Sequence, residues 1–323
     1  MSRHSERIIS SDGTPIAYWR SGQGPALVLV HGASADHTRW EGVLPLIEPH
    51  LTVYAMDRRG RGASGDQIRY ALEDEAADVA AVVEAVAAAT GGPVDLLGHS
   101  YGATCALEAA LRTDHVRQLV IYEPALAIST DEFVDELAGL LARDRHEDVL
   151  ITLLRAAGMA PGQLERARSL PSWRARVAAA HTIVRECRAE RAYRFDPQRF
   201  AAVRVPTLLL VGSDSAPEIV DESDRLAAAI PAARIGTLAG QTHLAMLSAP
   251  ELFAREILAF LGAPSWRARC PRCGRSRPLG ETGAIRIGAA SVGKRVFGRC
   301  GGCRRWRWII IEKPPSTIVT EPS

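Results

Sequence analysis

The residues Gly98-His99-Ser100-Tyr101-Gly102 constrain this chain more than any other feature. The apolar run Val94-Asp95-Leu96-Leu97 precedes them directly, and an Ala-rich helical pattern reaching about Arg112 follows at once. A serine placed between strand and helix sits in a strained turn that leaves no room for a Cβ at the flanking glycines. The turn lifts the hydroxyl clear of the sheet, and the helix N-terminus beneath it favours developing negative charge. Gly-x-Ser-x-Gly alone is weak; the strand–turn–helix context separates it from a helix-capping serine between chance glycines.

A serine hydroxyl is a poor nucleophile and needs a base, which a third group must orient. His243 lies in the polar loop Ala239-Gly240-Gln241-Thr242-His243, after the last expected strand. Open α/β sheets present their strand ends to ligands at such loops. His31, His37, His99, His115 and His181 occupy no late loop after a strand end, and His99 is expected to pack or line the rim.

Around this pair the chain alternates strand and helix. Two short strands joined at Asp12-Gly13 are expected between Arg7 and Arg20. Ala26–Val30 and Leu51–Met56 are continuous apolar runs that fit strands buried on both faces. A helix from about Asp36 to Ile47 separates them, and a long one from Leu72 to Ala89 follows. Val116–Tyr122 gives a further strand. From about Pro124 to Val203 only helical patterns remain, and alternation then resumes with Thr207–Val211, a helix near Ile219–Ile230, Arg234–Leu238 and a helix over Pro250–Leu261. Such alternation predicts an α/β fold with a mostly parallel central sheet and flanking helices, and the helical block predicts a cap. The expected division is a domain over 1–263 (core 1–123 and 204–263, cap 124–203), a module over 264–313 and a disordered tail over 314–323.

The order Ser100, Asp214, His243, with the turn between strand and helix, resembles the α/β-hydrolase superfamily, in its esterase and haloperoxidase-like branch with a helical cap. His31-Gly32 and Asp57-Arg58-Arg59-Gly60-Arg61-Gly62-Ala63-Ser64 support the resemblance, which covers about Arg7 to Leu261. It implies a triad of Ser100, Asp214 and His243, with an oxyanion hole made by the backbone N–H groups of Ala33 and Tyr101 and no catalytic cofactor. It also implies that the Asp57–Ser64 turn is architectural, with Asp57 and Arg58 as a potential pair. Relatives usually carry Gly-x-x-Asp at the acid; here Gly212-Ser213-Asp214-Ser215 brings the aspartate one residue early. Glu123, directly after its strand, is the competing acid. Epoxide hydrolases and haloalkane dehalogenases attack with a carboxylate, so serine points to an acyl-enzyme on a small ester or thioester, with carbon–carbon bond hydrolysis or acyl transfer as alternatives. The cap residues Phe133, Leu137, Leu140, Leu150, Leu153 and Leu154 recur at helical spacing, most expected to dock the cap and a few to face substrate. Trp40 fits either pocket or core.

The cysteines add a second module. Cys270, Cys273, Cys300 and Cys303 form two C-x2-C pairs with 26 residues between them. Four thiolates suit tetrahedral zinc, and a segment of about fifty residues with few core side chains needs a metal to fold. The region resembles a zinc ribbon, with strands expected at Ile285–Ile287, Arg295–Phe297 and Trp306–Ile311. From Pro264 onward there are 13 basic and 3 acidic residues, a net of +10, while the rest of the chain carries −8. Arg295, Arg299, Arg304, Arg305 and Arg307 interleave with Phe297, Trp306 and Trp308, which suits a nucleic acid or another acidic partner. A stabilising appendage is the plainer reading, and a binding factor with an inactive hydrolase scaffold is the rival from another class. With no apolar run of eighteen residues, no membrane span is expected, and the expected location is the cytoplasm, where thiols stay reduced.

Overall fold

The apolar runs become the middle of a sheet. The computed structural model describes residues 4–126, 129–159, 161–262, 267–273, 276–278, 295–300 and 303–312. They divide into two compact units, Met1–Leu261 and Gly262–Ser323.

In the first unit, strands β1 (His4–Ile9), β2 (Pro15–Gly22), β3 (Ala26–Val30), β4 (Thr52–Met56), β5 (Val94–His99), β6 (Val116–Tyr122), β7 (Thr207–Gly212) and β8 (Ala233–Leu238) form one sheet. Its order is β1-β2-β4-β3-β5-β6-β7-β8. β2 pairs antiparallel with β1 and β4, and every pairing from β4 to β8 is parallel. Every residue of β3, β4, β5 and β7 is buried, because helices cover both faces of a parallel sheet. The expected α/β fold class is therefore borne out.

The helices of this unit are α1 (Leu44–Ile47), α2 (Leu72–Thr90), α3 (Tyr101–Ala110), α4 (Asp131–Ala142), α5 (His146–Ala156), α6 (Pro161–Arg168), α7 (Trp173–Ala178), α8 (Ala180–Ala192), α9 (Pro197–Phe200), α10 (Pro217–Ala229), α11 (Ala245–Ser248) and α12 (Pro250–Phe260). The single helix expected over Asp36–Ile47 is instead a 3-10 turn, His37–Trp40, capped by the Asp36 carboxylate, followed by α1 with its proline in the first turn. Trp40 is fully buried and stacks near Phe253, so it belongs to the core. Val79, Val82, Val83 and Val86 of α2 and Ala103, Ala106 and Leu107 of α3 pack on Val28, Leu96 and Ile121 of the sheet. Each fully buried Val or Leu is worth about 1.5–3 kcal/mol.

The helices α4 to α9 stand between β6 and β7, and α4 to α8 build a core of their own. Leu137, Leu150, Leu154, Trp173 and Ile183 are buried together there. An ionic strut joins this cap to the sheet. Arg58 holds Glu75 through Nε (2.9 Å) and Nη2 (2.6 Å), and Nη2 also reaches Glu186 of α8 at 2.6 Å. Arg61 adds a 2.5 Å pair to Glu186 and a 2.6 Å bond to Thr182. The expected Asp57–Arg58 pair does not form. Asp57 accepts instead from His37, Trp19 and the Ala63 N–H, because Arg58 turns inward to the cap.

In the second unit β9 (Arg267–Arg269), β10 (Ser276–Pro278), β11 (Arg295–Arg299) and β12 (Trp306–Glu312) form an antiparallel sheet in the order β10-β9-β12-β11. The strand expected at Ile285–Ile287 and the expected disordered tail lie outside the described residues. Among the described residues, no helix is long and apolar enough to cross a membrane.

Candidate active site

Ser100 sits where β5 ends and α3 begins, with φ 55° and ψ −128°. An L-residue holds such a conformation only when its surroundings dictate it, and strain of this kind concentrates at reactive residues. The flanking glycines explain how the turn closes. A Cβ on Gly98 would stand 2.5 Å from the Gly102 carbonyl oxygen, and one on Gly102 would stand 2.2 Å from that of His31. The Ser100 N–H donates to the Tyr122 carbonyl at 2.9 Å, which ties the turn to the end of β6.

Ser100 opens into a cavity of about 650 Å³ that Ala33, Tyr101 and His243 also line. Ala33 and Tyr101, the two residues expected to supply an oxyanion hole, thus line the same cavity as the serine. Phe133 and Leu153 of the cap reach the same cavity, while Leu137, Leu150 and Leu154 stay in the cap core.

The carboxylate that meets His243 is Glu123. His243 Nδ1 lies 2.8 Å from Glu123 Oε2, and the fully desolvated carboxylate can only accept, so Nδ1 carries the proton. Glu123 Oε1 accepts from the Gly212 N–H at 2.8 Å and from Ser215 Oγ at 2.6 Å. Burial alone would raise this carboxyl's pKa, but the hydrogen bond and charge of His243, with those two further donors, hold it below its ordinary value. Glu123 itself is in the left-handed region, φ 43°, which aims its side chain across the end of β7.

The expectation that Asp214 orients His243 is corrected by this geometry. Asp214 is exposed, and its Oδ1 accepts from the neighbouring Ser213 Oγ at 2.8 Å. The shortened Gly212–Ser215 loop leaves Ser215, at the position where relatives usually carry the acid, donating to Glu123.

Two further residues steady the His243 loop. The Tyr122 hydroxyl donates to the Thr242 carbonyl and accepts from the Ala245 N–H at 3.1 Å. His99 Nε2 meets the His243 carbonyl at 2.9 Å. Burial, then the nearby His243 and Arg39, push the His99 pKa well below its ordinary value, so His99 is a neutral donor. His99 does more than the packing expected of it, and its position next to the nucleophile was the only sequence signal for this.

In the second unit the Sγ atoms of Cys270, Cys273, Cys300 and Cys303 all lie within 4.8 Å of one another. Cys270 and Cys303 are 4.0 Å apart and Cys273 and Cys300 are 3.6 Å apart, and none of the four is in a disulfide.

A strained, half-buried serine turn, a histidine on the same cavity and a carboxylate behind that histidine thus stand together on an α/β sheet. Residues 27–256 match the alpha/beta hydrolase family, and the chain belongs to it. It is an enzyme of the hydrolase type. The chain is 25% identical over 274 residues to the 2-hydroxy-6-oxo-6-(2'-aminophenyl)hexa-2,4-dienoic acid hydrolase of Metapseudomonas resinovorans, covering 80% of this chain and 92% of that one. The N-formylmaleamate deformylase of Pseudomonas putida is 35% identical over 124 residues, covering 37% of this chain and 45% of that one. Among solved structures, an alpha/beta hydrolase from Sphaerobacter thermophilus superposes with a TM-score of 0.69 at 34% identity, covering 79% of this chain and 100% of that one.

Proposed function

We propose that this chain hydrolyses a small ester or thioester through an acyl-enzyme on Ser100, with His243 as base and Glu123 as the orienting acid. The observation that carries the reading is the 2.8 Å contact of His243 Nδ1 with Glu123 on the cavity that Ser100 enters. With its proton fixed on Nδ1, neutral His243 keeps the Nε2 lone pair for the serine proton. Ser100 Oγ attacks the carbonyl carbon as Nε2 takes that proton. The oxyanion receives the Ala33 and Tyr101 N–H groups, each worth about 3–4 kcal/mol in the transition state. Collapse expels the alcohol or thiol, protonated by His243, and a water repeats the sequence to release the acid.

Covalent labelling by a fluorophosphonate, read by intact mass, tests this. One adduct on the wild type and none on folded Ser100→Ala is the expected result; an adduct on the variant would move the nucleophile elsewhere. The dienoic acid hydrolase relative favours carbon–carbon bond hydrolysis or acyl transfer by the same residues as a second reading. Protein that labels yet leaves every simple ester intact would select it.

The C-terminal cysteines fit a structural zinc. Tetrahedral zinc about 2.3 Å from each sulfur separates the sulfurs by about 3.8 Å, and the observed 3.6 and 4.0 Å bracket that value. When bound, the metal would supply cross-linking of β9, β11 and their following turns, with no part in catalysis. One zinc per chain, lost when Cys270 and Cys300 become serine, is expected; full occupancy in that variant would refute the site. Such thiols stay reduced in the cytoplasm, where we place the chain. Trp306 and Trp308 are exposed on alternate positions of β12, next to exposed Arg304 and Arg305. This supports a nucleic acid or another acidic partner on the ribbon. Nucleic acid that accompanies the purified chain and leaves at high salt would support it, and clean protein at low salt would count against it.

A further inference from the structure

Arg58 touches both halves of the proposed oxyanion hole, although no step of the hydrolytic cycle above uses it. On one side it holds the loop that carries Ala33. Its backbone N–H donates to His31 Nε2 at 3.2 Å, and its Nη1 donates to the His31 carbonyl at 3.4 Å. His31 is fully buried, and burial, then the charges of Arg58 and Arg61, push its pKa well below the ordinary value. The ring is therefore neutral: Nε2 accepts, and Nδ1 donates to the Gly32 carbonyl at 2.8 Å. A Cβ on Gly32 would stand 2.8 Å from the Ser100 Cβ, so this loop runs directly against the nucleophile.

On the other side Arg58 covers Tyr101, whose N–H is the second donor of the hole. The guanidinium carbon lies 4.7 Å from the centre of the Tyr101 ring. The Tyr101 hydroxyl is 2.8 Å from that of Tyr70, which is 3.0 Å from Glu75 Oε1. Arg58 Nη2 reaches that same Glu75 oxygen. Arg58 and Glu75 are fully buried and Tyr101 nearly so, so solvent does not soften these contacts.

The charge balance of this cluster comes from the cap. Glu75 is engaged by Arg58 through both oxygens, and Glu186 of α8 supplies the second carboxylate for Arg58 and Arg61. Without the Glu186 charge, two buried guanidiniums would share the Glu75 carboxylate, a costly arrangement that relaxes by movement. The Arg58 side chain lies between the loop of Ala33 and the ring of Tyr101, so its movement disturbs both.

We propose that Arg58 is a positioning residue for the oxyanion hole, and that Glu186 makes the geometry of that hole depend on a docked cap. The inference rests on the hydrolase reading above and adds a residue to the machinery of that same site. Arg58 acts through His31 and Tyr101, whose neighbouring donors must be held within about 0.5 Å of the productive geometry.

Butyl trifluoromethyl ketone tests it, because Ser100 Oγ adds to its carbonyl and the resulting oxyanion occupies the hole. Its inhibition constant is read by protection against fluorophosphonate labelling. In folded Glu186→Gln that constant should rise roughly ten- to hundredfold. The kcat for p-nitrophenyl pentanoate should fall by a similar factor, with KM within about threefold of wild type. The apparent pKa of kcat/KM should not move, because His243 and Glu123 are untouched. Tyr70→Phe, which cuts the link from Tyr101 to Glu75, should do the same more weakly, and it carries the test if Glu186→Gln fails to fold. Unchanged ketone binding in a folded variant, or a loss confined to KM, would overturn the positioning role and leave the hydrolase standing. A wild type that neither turns over the ester nor takes a fluorophosphonate adduct would overturn both.

Discussion

Glu123 and Asp214 follow neighbouring parallel strands, β6 and β7, yet the chain treats the two carboxylates in opposite ways. Glu123 is 1% exposed and accepts from His243, the Gly212 N–H and Ser215. Asp214 faces solvent and bonds the serine beside it. Three donors on a desolvated carboxylate fix its charge and its position, whereas an exposed carboxylate is screened and free to turn. The contrast teaches that the acid of such a site is defined by the donors arranged around it. Its rank in the sequence does not decide it.

Three substitutions sharpen that contrast. Glu123→Gln keeps the size of the side chain but removes the charge that steadies His243 and fixes its tautomer. A loss in kcat on a neutral ester of roughly 10⁴-fold is expected, read by steady-state kinetics; a change under tenfold would break the comparison. Ser215→Ala removes one of three donors to Glu123, and a roughly three- to tenfold loss in kcat is expected in the same assay. Asp214→Asn changes an exposed side chain, and kcat on the neutral ester should stay within about twofold of wild type.

Much of this molecule was legible beforehand because its signals are local. Continuous apolar runs mark β3 and β4, and the pattern of Val116–Tyr122 marks β6, to within a residue, and the glycines around Ser100 mark the turn. The choice between Glu123 and Asp214 was not legible, because it depends on which carboxylate the folded loops bring to His243 and on a left-handed Glu123, neither of which periodicity encodes. The Arg58–Glu186 contact joins residues 128 positions apart, and a charge buried by such a contact looks like a solvated one in the sequence. The cysteine pairs were readable by spacing alone, and the strands expected at Arg295–Phe297 and Trp306–Ile311 fall on β11 and β12, while the short β9 and β10 were not foreseen.

The most direct test of the central claim is the rate of fluorophosphonate labelling of Ser100 in the wild type, Glu123→Gln and Asp214→Asn, followed by intact mass. Wild type and Asp214→Asn labelling at similar rates, with Glu123→Gln slower by orders of magnitude, is the result predicted for Glu123 as the acid. Slow labelling of Asp214→Asn beside an undiminished Glu123→Gln would contradict it and return the role to Asp214.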